Sequence, residues 1–428
     1  MQGSSTRSHA SRLSAVAAAS VAVALALTAL AGSPADAATI TPDDAFSGDG
    51  RTAFKAAGSD TSTDIVVTGT SSYLIGNVAR PGGHKGSRIA VVKHGLNGKV
   101  SESFGTNGRR TILVGRTSKA FSGTLAPDGG VLVAGVSKGA NSAIIVAKLR
   151  PGGRLDSTFS GDGIARFPVK GGIEWPLIEV QPDGGIWVAW AAVKQAAHGR
   201  HVSDFRVIHL TKSGRLNDGF GGDGQKTFDL RRKEFTYFSQ VDSNGRFYVA
   251  GYGSRNRKAD GVTTLLSIAD DGPNYSRTLK PWAKYGSAPI NVGVTASGHV
   301  VVGLTPVNAA AWGAARLTPQ LKLDRTYGRD GFARHSCECI SMSGAQTTKG
   351  LVLIGTTQQQ EATIVARFTT NGRWDRQLDN KRINLFSSWE YWFEAVADAQ
   401  DRTVLAGTTR GSQGAGDMAI ARLKFGQN

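Results

Sequence analysis

The side chains most able to do chemistry crowd into one short string, His335-Ser336-Cys337-Glu338-Cys339, which holds both cysteines of the chain. In an extended strand its alternate residues, His335, Cys337 and Cys339, face one side. Two thiolates and an imidazole there could begin a zinc or copper site, but no fourth ligand stands nearby, and no metal is assigned. The cysteine Cα atoms would lie ~6.6 Å apart in a strand, at the edge of disulfide geometry. A local Cys337–Cys339 disulfide is the leading expectation, ahead of free buried thiols. Gly135-Val136-Ser137-Lys138-Gly139 fits the G-x-S-x-G pattern, yet a nucleophile elbow needs a strand-to-helix turn and no helical periodicity follows. Asp49, Asp162, Asp223 and Asp330 each precede a glycine and recur along the chain, which marks turn formers rather than acid catalysts. With no H-E-x-x-H, P-loop or EF-hand string, no catalytic residue and no cofactor is expected.

Charge gives a different kind of candidate. Lys+Arg of 50 against Asp+Glu of 33 leaves +17, which favours anionic partners. The excess gathers in loops that lengthen in some repeats: Arg80, Lys85 and Arg88; Lys194 and Arg200; Arg255, Arg257 and Lys258. Loops on one face of a repeat array are commonly its binding face. These loops lack the interleaved aromatics of a nucleic-acid site, so the expected ligand is an anionic cell-envelope polymer or a partner protein. The aromatic cluster Trp389, Tyr391, Trp392 and Phe393 is assigned to core packing.

The elements that must carry these residues are written in a repeat. Phe46-Ser47-Gly48-Asp49-Gly50 recurs at Phe104, Phe159, Phe220 and Tyr327, with eroded copies expected beside Leu279 and at Leu378. A polar or basic residue stands eleven positions before each: Lys93, Lys148, His209, Ser267, Arg316 and Arg367, with Arg422 as the seventh. A third landmark is an apolar strand expected to end in a small residue, at Gly76, Gly135, Trp190, Gly251, Gly303, Gly355 and Gly407. Periods of this length mean a repeat architecture. Short β-branched runs between Asp-Gly, Asn-Gly and Gly-Gly turns give about four strands per unit, the content of a propeller blade.

The expected fold is all-β, a seven-bladed β-propeller closed by the N-terminal strand joining the C-terminal blade. Its repeats span about 55–108, 109–163, 164–224, 225–280, 281–331, 332–380 and 381–428 plus 38–54, in a single domain 38–428. Ahead of them, Arg7 and Arg12, the apolar run Leu13 to Ala31 and Ala35-Asp36-Ala37 form the three parts of a signal peptide over 1–37. The mature chain is expected to be exported, extracellular or associated with the cell wall, monomeric and without a membrane span.

Leu155-Asp156-Ser157-Thr158-Phe159-Ser160-Gly161-Asp162-Gly163, preceded by Pro127-Asp128-Gly129-Gly130 and Ala147-Lys148-Leu149, resembles the delta-60 repeat of secreted bacterial proteins. Leu323-Asp324 through Asp330-Gly331 and Ala315-Arg316-Leu317 look the same. The resemblance implies a propeller-like repeat and brings no catalytic residues with it.

The function expected is therefore a non-enzymatic binding module with one basic face. The alternative is an extracellular hydrolase or lyase with its site at the central channel. Two titratable groups with perturbed pKa values converging on the channel would mark the enzyme; a channel of small or apolar side chains would mark the binder.

Overall fold

A computed structural model describes residues 39–55, 60–80, 85–139, 141–195, 201–254, 261–386, 389–410 and 416–426. The chain is all-β, built from four-stranded antiparallel sheets in which neighbouring strands follow one another in sequence. The first sheet runs Thr61–Val67, Ser71–Ala79, Ser87–Gly95 and Arg109–Ile112. Two such units, beginning at Gly172–Val180 and Lys233–Val241, are joined by a single parallel pairing, Ser203 to Lys233. Apolar clusters fill the space between successive sheets, so each sheet buries both faces, which no single unit could do alone. The outermost strands 109–112, 164–168 and 225–228 pair backward onto the preceding sheet, a few residues beyond the sequence boundaries of the repeats.

In several repeats the polar residue is a rivet. Lys148 meets Asp156 at 3.0 Å, Arg316 meets Asp324 at 2.7 Å and Arg367 meets Asp375 at 2.5 Å, each pair eight residues apart. The aspartate opens a turn whose third following residue, Phe159, Tyr327 or Leu378, is buried. The guanidinium of Arg316 lies 5.1 Å over the Tyr327 ring and donates to the Thr370 carbonyl of the next sheet at 2.7 Å. One cation thus fixes its own turn and its neighbour. Between Ser267 and Tyr275 this turn is missing, and the chain passes directly into the outer strand Tyr275–Leu279, where Leu279 supplies the buried side chain. Asp49, Asp162 and Asp223 accept the backbone N–H two residues on, as turn formers do.

The two chain ends meet through the same device. Ile40–Pro42 and Arg51–Phe54 both pair with the last strand, Gly416–Phe425. Asp43 takes the place of the aspartate eight residues downstream, accepting from Arg422 Nε at 2.7 Å, and Arg422 lies 5.0 Å over Phe46. Phe46, Ile65 and Leu74 pack with Val404, Met418 and Ile420 in one cluster, so the first and last sheets share a core.

The glycines expected at strand ends lie inside strands. Ser62 pairs with Gly76, and the register then slips by one residue at Thr63. The same slip occurs opposite Gly135, Gly251, Gly355 and Gly407. A Cβ at Gly76, Gly135, Gly251 or Gly407 would overlap the carbonyl oxygen of Thr61, Lys119, Phe235 or Tyr391. Close backbone approach there requires glycine. Trp190 breaks the series, and its facing strand spends two residues, Trp175 and Pro176, with Trp175 at φ 50°.

Arg422 is 3% exposed, so Asp43→Ala leaves a buried cation without its carboxylate and is expected to cost ~3 kcal/mol. Deleting 39–54 is expected to abolish cooperative unfolding. Denaturant melts check both; an unshifted midpoint in Asp43→Ala would show that the end-to-end pairing holds little together.

Candidate active site

One cavity of about 500 Å³ lies where the first strand of every sheet converges: Thr61–Val67, Thr117–Leu125, Gly172–Val180, Lys233–Val241, Ser287–Val294, Ile340–Thr347 and Glu390–Ala397. The register slips decide what it is lined with. Each inserts an extra residue that the ladder leaves unpaired, and a bulge re-aims that side chain. The extra residues Thr63, Phe121, Trp175, Tyr237, Ile290, Met342 and Phe393 all line the cavity. Four are aromatic, and they touch in sequence around the wall, Phe121 to Trp175 at 6.4 Å and Trp175 to Tyr237 at 5.3 Å. Tyr391 joins Phe393 at 4.8 Å. The cluster expected to be core is therefore divided. Trp392 is buried and donates to Thr363 Oγ1, while Tyr391 and Phe393 on either side face the cavity.

Three carboxyls share this wall. Asp64 and Glu394 each follow a bulged residue directly, and Glu179 stands farther along its strand. All three are half-exposed and line the cavity. Burial pushes Asp64 up to about 7, although its carboxyl accepts from the backbone N–H of Gly123 at 2.7 Å and of Ile65 at 2.6 Å. Burial pushes Glu179 up to about 8; a hydrogen bond from Ser239 at 3.0 Å opposes this and the charge of Asp64 reinforces it. Burial, then the charges of Asp64 and Glu179, raise Glu394 well above the carboxylate range. The environments divide the roles. Asp64, held by two N–H donors, ionises first, whereas Glu179 and Glu394 keep their protons to higher pH.

The singled-out residues lie elsewhere. Ser137 sits in the strand Val131–Lys138 with no helix after it. Cys337 and Cys339 follow the strand Phe332–Ser336, where the chain bends and brings their Cα atoms to 5.3 Å, closer than a straight strand allows. Their sulfurs face each other inside an apolar cluster with Trp312 and Ile364. His335 points away, stacked on Trp374 at 3.7 Å, and among the described residues no three metal-binding side chains gather. Of the basic loops, Arg200, Arg255, Arg257 and Lys258 lie outside the described residues, as does the side chain of Lys194. Arg80 donates to the Arg116 carbonyl at 2.9 Å, Lys85 is exposed and Arg88 is half-buried.

No protein-family profile and no curated protein matches the sequence. Solved structures similar to the chain include polysaccharide lyase Uly1, at 9% identity and TM-score 0.48, over 85% of this chain and 90% of that one. The subtype N10 neuraminidase-like protein of A/little yellow-shouldered bat/Guatemala/060/2010 matches at 12% identity and TM-score 0.43, over 92% and 98%. The soluble aldose sugar dehydrogenase of Escherichia coli matches at 12% identity and TM-score 0.38, over 71% and 96%.

The expectation of a non-enzymatic binder is corrected here. The cavity is lined largely by small and apolar side chains, as a binder's would be, but three carboxyls with displaced pKa values converge among them, which favours an enzyme. Among the described residues the cavity lining includes no Lys, Arg or His, so the cavity is a place apart from the basic loops on which an anionic ligand was expected.

A carboxyl whose pKa is raised on folding stabilises the protein only while neutral. That contribution is complete below the unfolded value and is lost as pH rises through the folded one. Asp64→Asn and Glu179→Gln are therefore expected to raise Tm at pH 8.5 by ~2 °C, with the gain vanishing at pH 4. Differential scanning fluorimetry at both pH values checks this; a lower Tm at both would show that these groups are ionised structural partners.

Proposed function

We propose that the protein is a glycoside hydrolase whose site is the central cavity. The observation that carries this is the convergence of Asp64, Glu179 and Glu394, with divided proton affinities, beside the partly exposed rings of Trp175, Tyr237 and Tyr391. Aromatic faces suit the apolar faces of sugar rings, and hydrolysis of a glycosidic bond needs one protonated and one ionised carboxyl. Glu179 or Glu394 gives a proton to the leaving oxygen as its bond to the anomeric carbon breaks. Asp64 takes a proton from the water that attacks that carbon, and the two products carry the elements of water between them. A lyase acting on uronates is less well served, since among the described residues no cation lines the cavity to neutralise the substrate carboxylate.

The scaffold belongs to the same proposal. We read the chain as an exported seven-bladed β-propeller of the delta-60 type, closed by its own N-terminal segment, with a leader over 1–37 that lies outside the described residues. Support comes from the seven inner strands around one cavity and from the core that the first and last sheets share. No helix among the described residues is long and apolar enough to cross a membrane. Export into an oxidising space also supports a Cys337–Cys339 disulfide.

Reducing-end release from a panel of neutral, cationic and anionic oligosaccharides tests the reading. Glu179→Gln or Glu394→Gln, whichever removes the acid, is expected to lower kcat by ~10²–10⁴, and Asp64→Asn comparably. Activity should rise as Asp64 ionises near pH 7 and fall as Glu179 loses its proton near pH 8, giving a narrow bell. No cleavage of any panel member, or full activity in the triple variant, would overturn it.

A further inference from the structure

The cavity wall is one-sided in its hydrogen bonding. Asn291, 7% exposed, gives Nδ2 to the Gly344 carbonyl at 2.6 Å and leaves Oδ1 unpaired. Gln346 likewise donates Nε2 to the Thr347 carbonyl at 2.9 Å and leaves Oε1 unpaired. Gln240 gives its amide N–H to the Val241 carbonyl at 3.3 Å. The Ser239 hydroxyl is spent on Glu179. One N–H of each of these amides is turned into the wall, and the Asn291 and Gln346 oxygens are left buried without a donor. Beside them the wall carries the oxygens of three carboxyls, Asp64, Glu179 and Glu394. A ligand suited to such a wall is rich in donors.

Charge narrows the class. The lining holds Asp64, Glu179 and Glu394 and, among the described residues, no cation. A uronic acid or phosphosugar entering it would lose hydration with no counter-charge to replace it. An ammonium group meets the opposite situation, with Asp64, the first of the three carboxyls to ionise, as counter-ion and the faces of Trp175, Tyr237 and Tyr391 available for cation–π contact.

We propose that the site takes a sugar bearing a free amino group, a glucosamine-type unit rather than its N-acetylated, neutral or acidic counterpart. The carboxyls supply acceptors for the ammonium protons, the buried unpaired Asn291 oxygen adds to the electronegative wall, and the bulged aromatics supply the ring platform. Acetylation removes both the charge and two of the three N–H donors, so the same wall discriminates against the acetylated sugar. This rests on the hydrolase reading for its sugar, but the preference for an amine rests on the wall alone.

Isothermal titration of the mature chain with the glucosamine trimer, the N-acetylglucosamine trimer and the glucose trimer separates the two. The amine trimer is expected to bind about tenfold tighter than either of the others, to weaken as salt rises from low to physiological strength, and to lose that advantage in Asp64→Asn combined with Glu394→Gln. Asn291→Leu should weaken the amine trimer more than the glucose trimer. Equal affinity for all three, or binding of none, overturns the amine preference, while reducing-end release from any of them keeps the hydrolase reading. Selective binding of the amine trimer without reducing-end release supports the preference and overturns the hydrolase.

Discussion

In four repeats the inner strand lays a backbone carbonyl against a residue of the next strand that can have no side chain. Gly76, Gly135, Gly251 and Gly407 meet this constraint. Because the carbonyl crosses there, the ladder slips, one residue is left unpaired, and its side chain is thrown into the centre. The lining of the cavity follows from that slip. Without it Phe121, Tyr237 and Phe393 would keep ordinary strand alternation, and Asp64 and Glu394 would change faces with them. The ion-pair rivets at the far edge do the complementary work. They hold turns and adjacent sheets in fixed relation, so that side chains from separate repeats can meet at one place.

The basic composition reads differently once the rivets are visible. Lys148, Arg316, Arg367 and Arg422 are committed to aspartates inside the fold, so part of the positive count is internal pairing rather than a surface field. The acids are distributed unevenly as well. Asp43, Asp156, Asp324 and Asp375 neutralise rivets, whereas Asp64, Glu179 and Glu394 face a cavity with no described cation. A protein positive in sum thus holds a locally acidic centre.

Much of the architecture was legible in the sequence because repetition magnifies weak signals. The Phe-x-x-Asp-Gly turns, the polar residue eleven positions earlier and the unpaired turn at Phe46 located strands and related the two chain ends. The glycine landmark was visible, but its reason was not: a strand end and a mid-strand glycine facing a bulge leave the same letter. The candidate site escaped for the opposite reason. Asp64, Glu179 and Glu394 come from three repeats and stand at positions the other repeats fill with residues such as Ser122 and Phe238, so no motif links them. The available signal was local, an acid inside an apolar inner strand, as in Asp64-Ile65-Val66-Val67 and Leu177-Ile178-Glu179-Val180. Tyr391 and Phe393 were assigned to the core with Trp392 because an unbroken aromatic run does not say which face of its strand is turned into the sheet packing; alternation sets the two opposite Trp392.

Hydrolysis at this site needs the cavity to keep a glutamic acid protonated at neutral pH beside an ionised carboxylate. Carbon-13 NMR titration of glutamate side-chain carboxyls, with the Glu179 signal assigned by its loss in Glu179→Gln, measures this directly. The account predicts an apparent pKa near the value of about 8 that burial and Asp64 impose, moving downward in Asp64→Asn. A Glu179 carboxyl titrating at ~4.3, as in an open chain, and indifferent to Asp64, would contradict it.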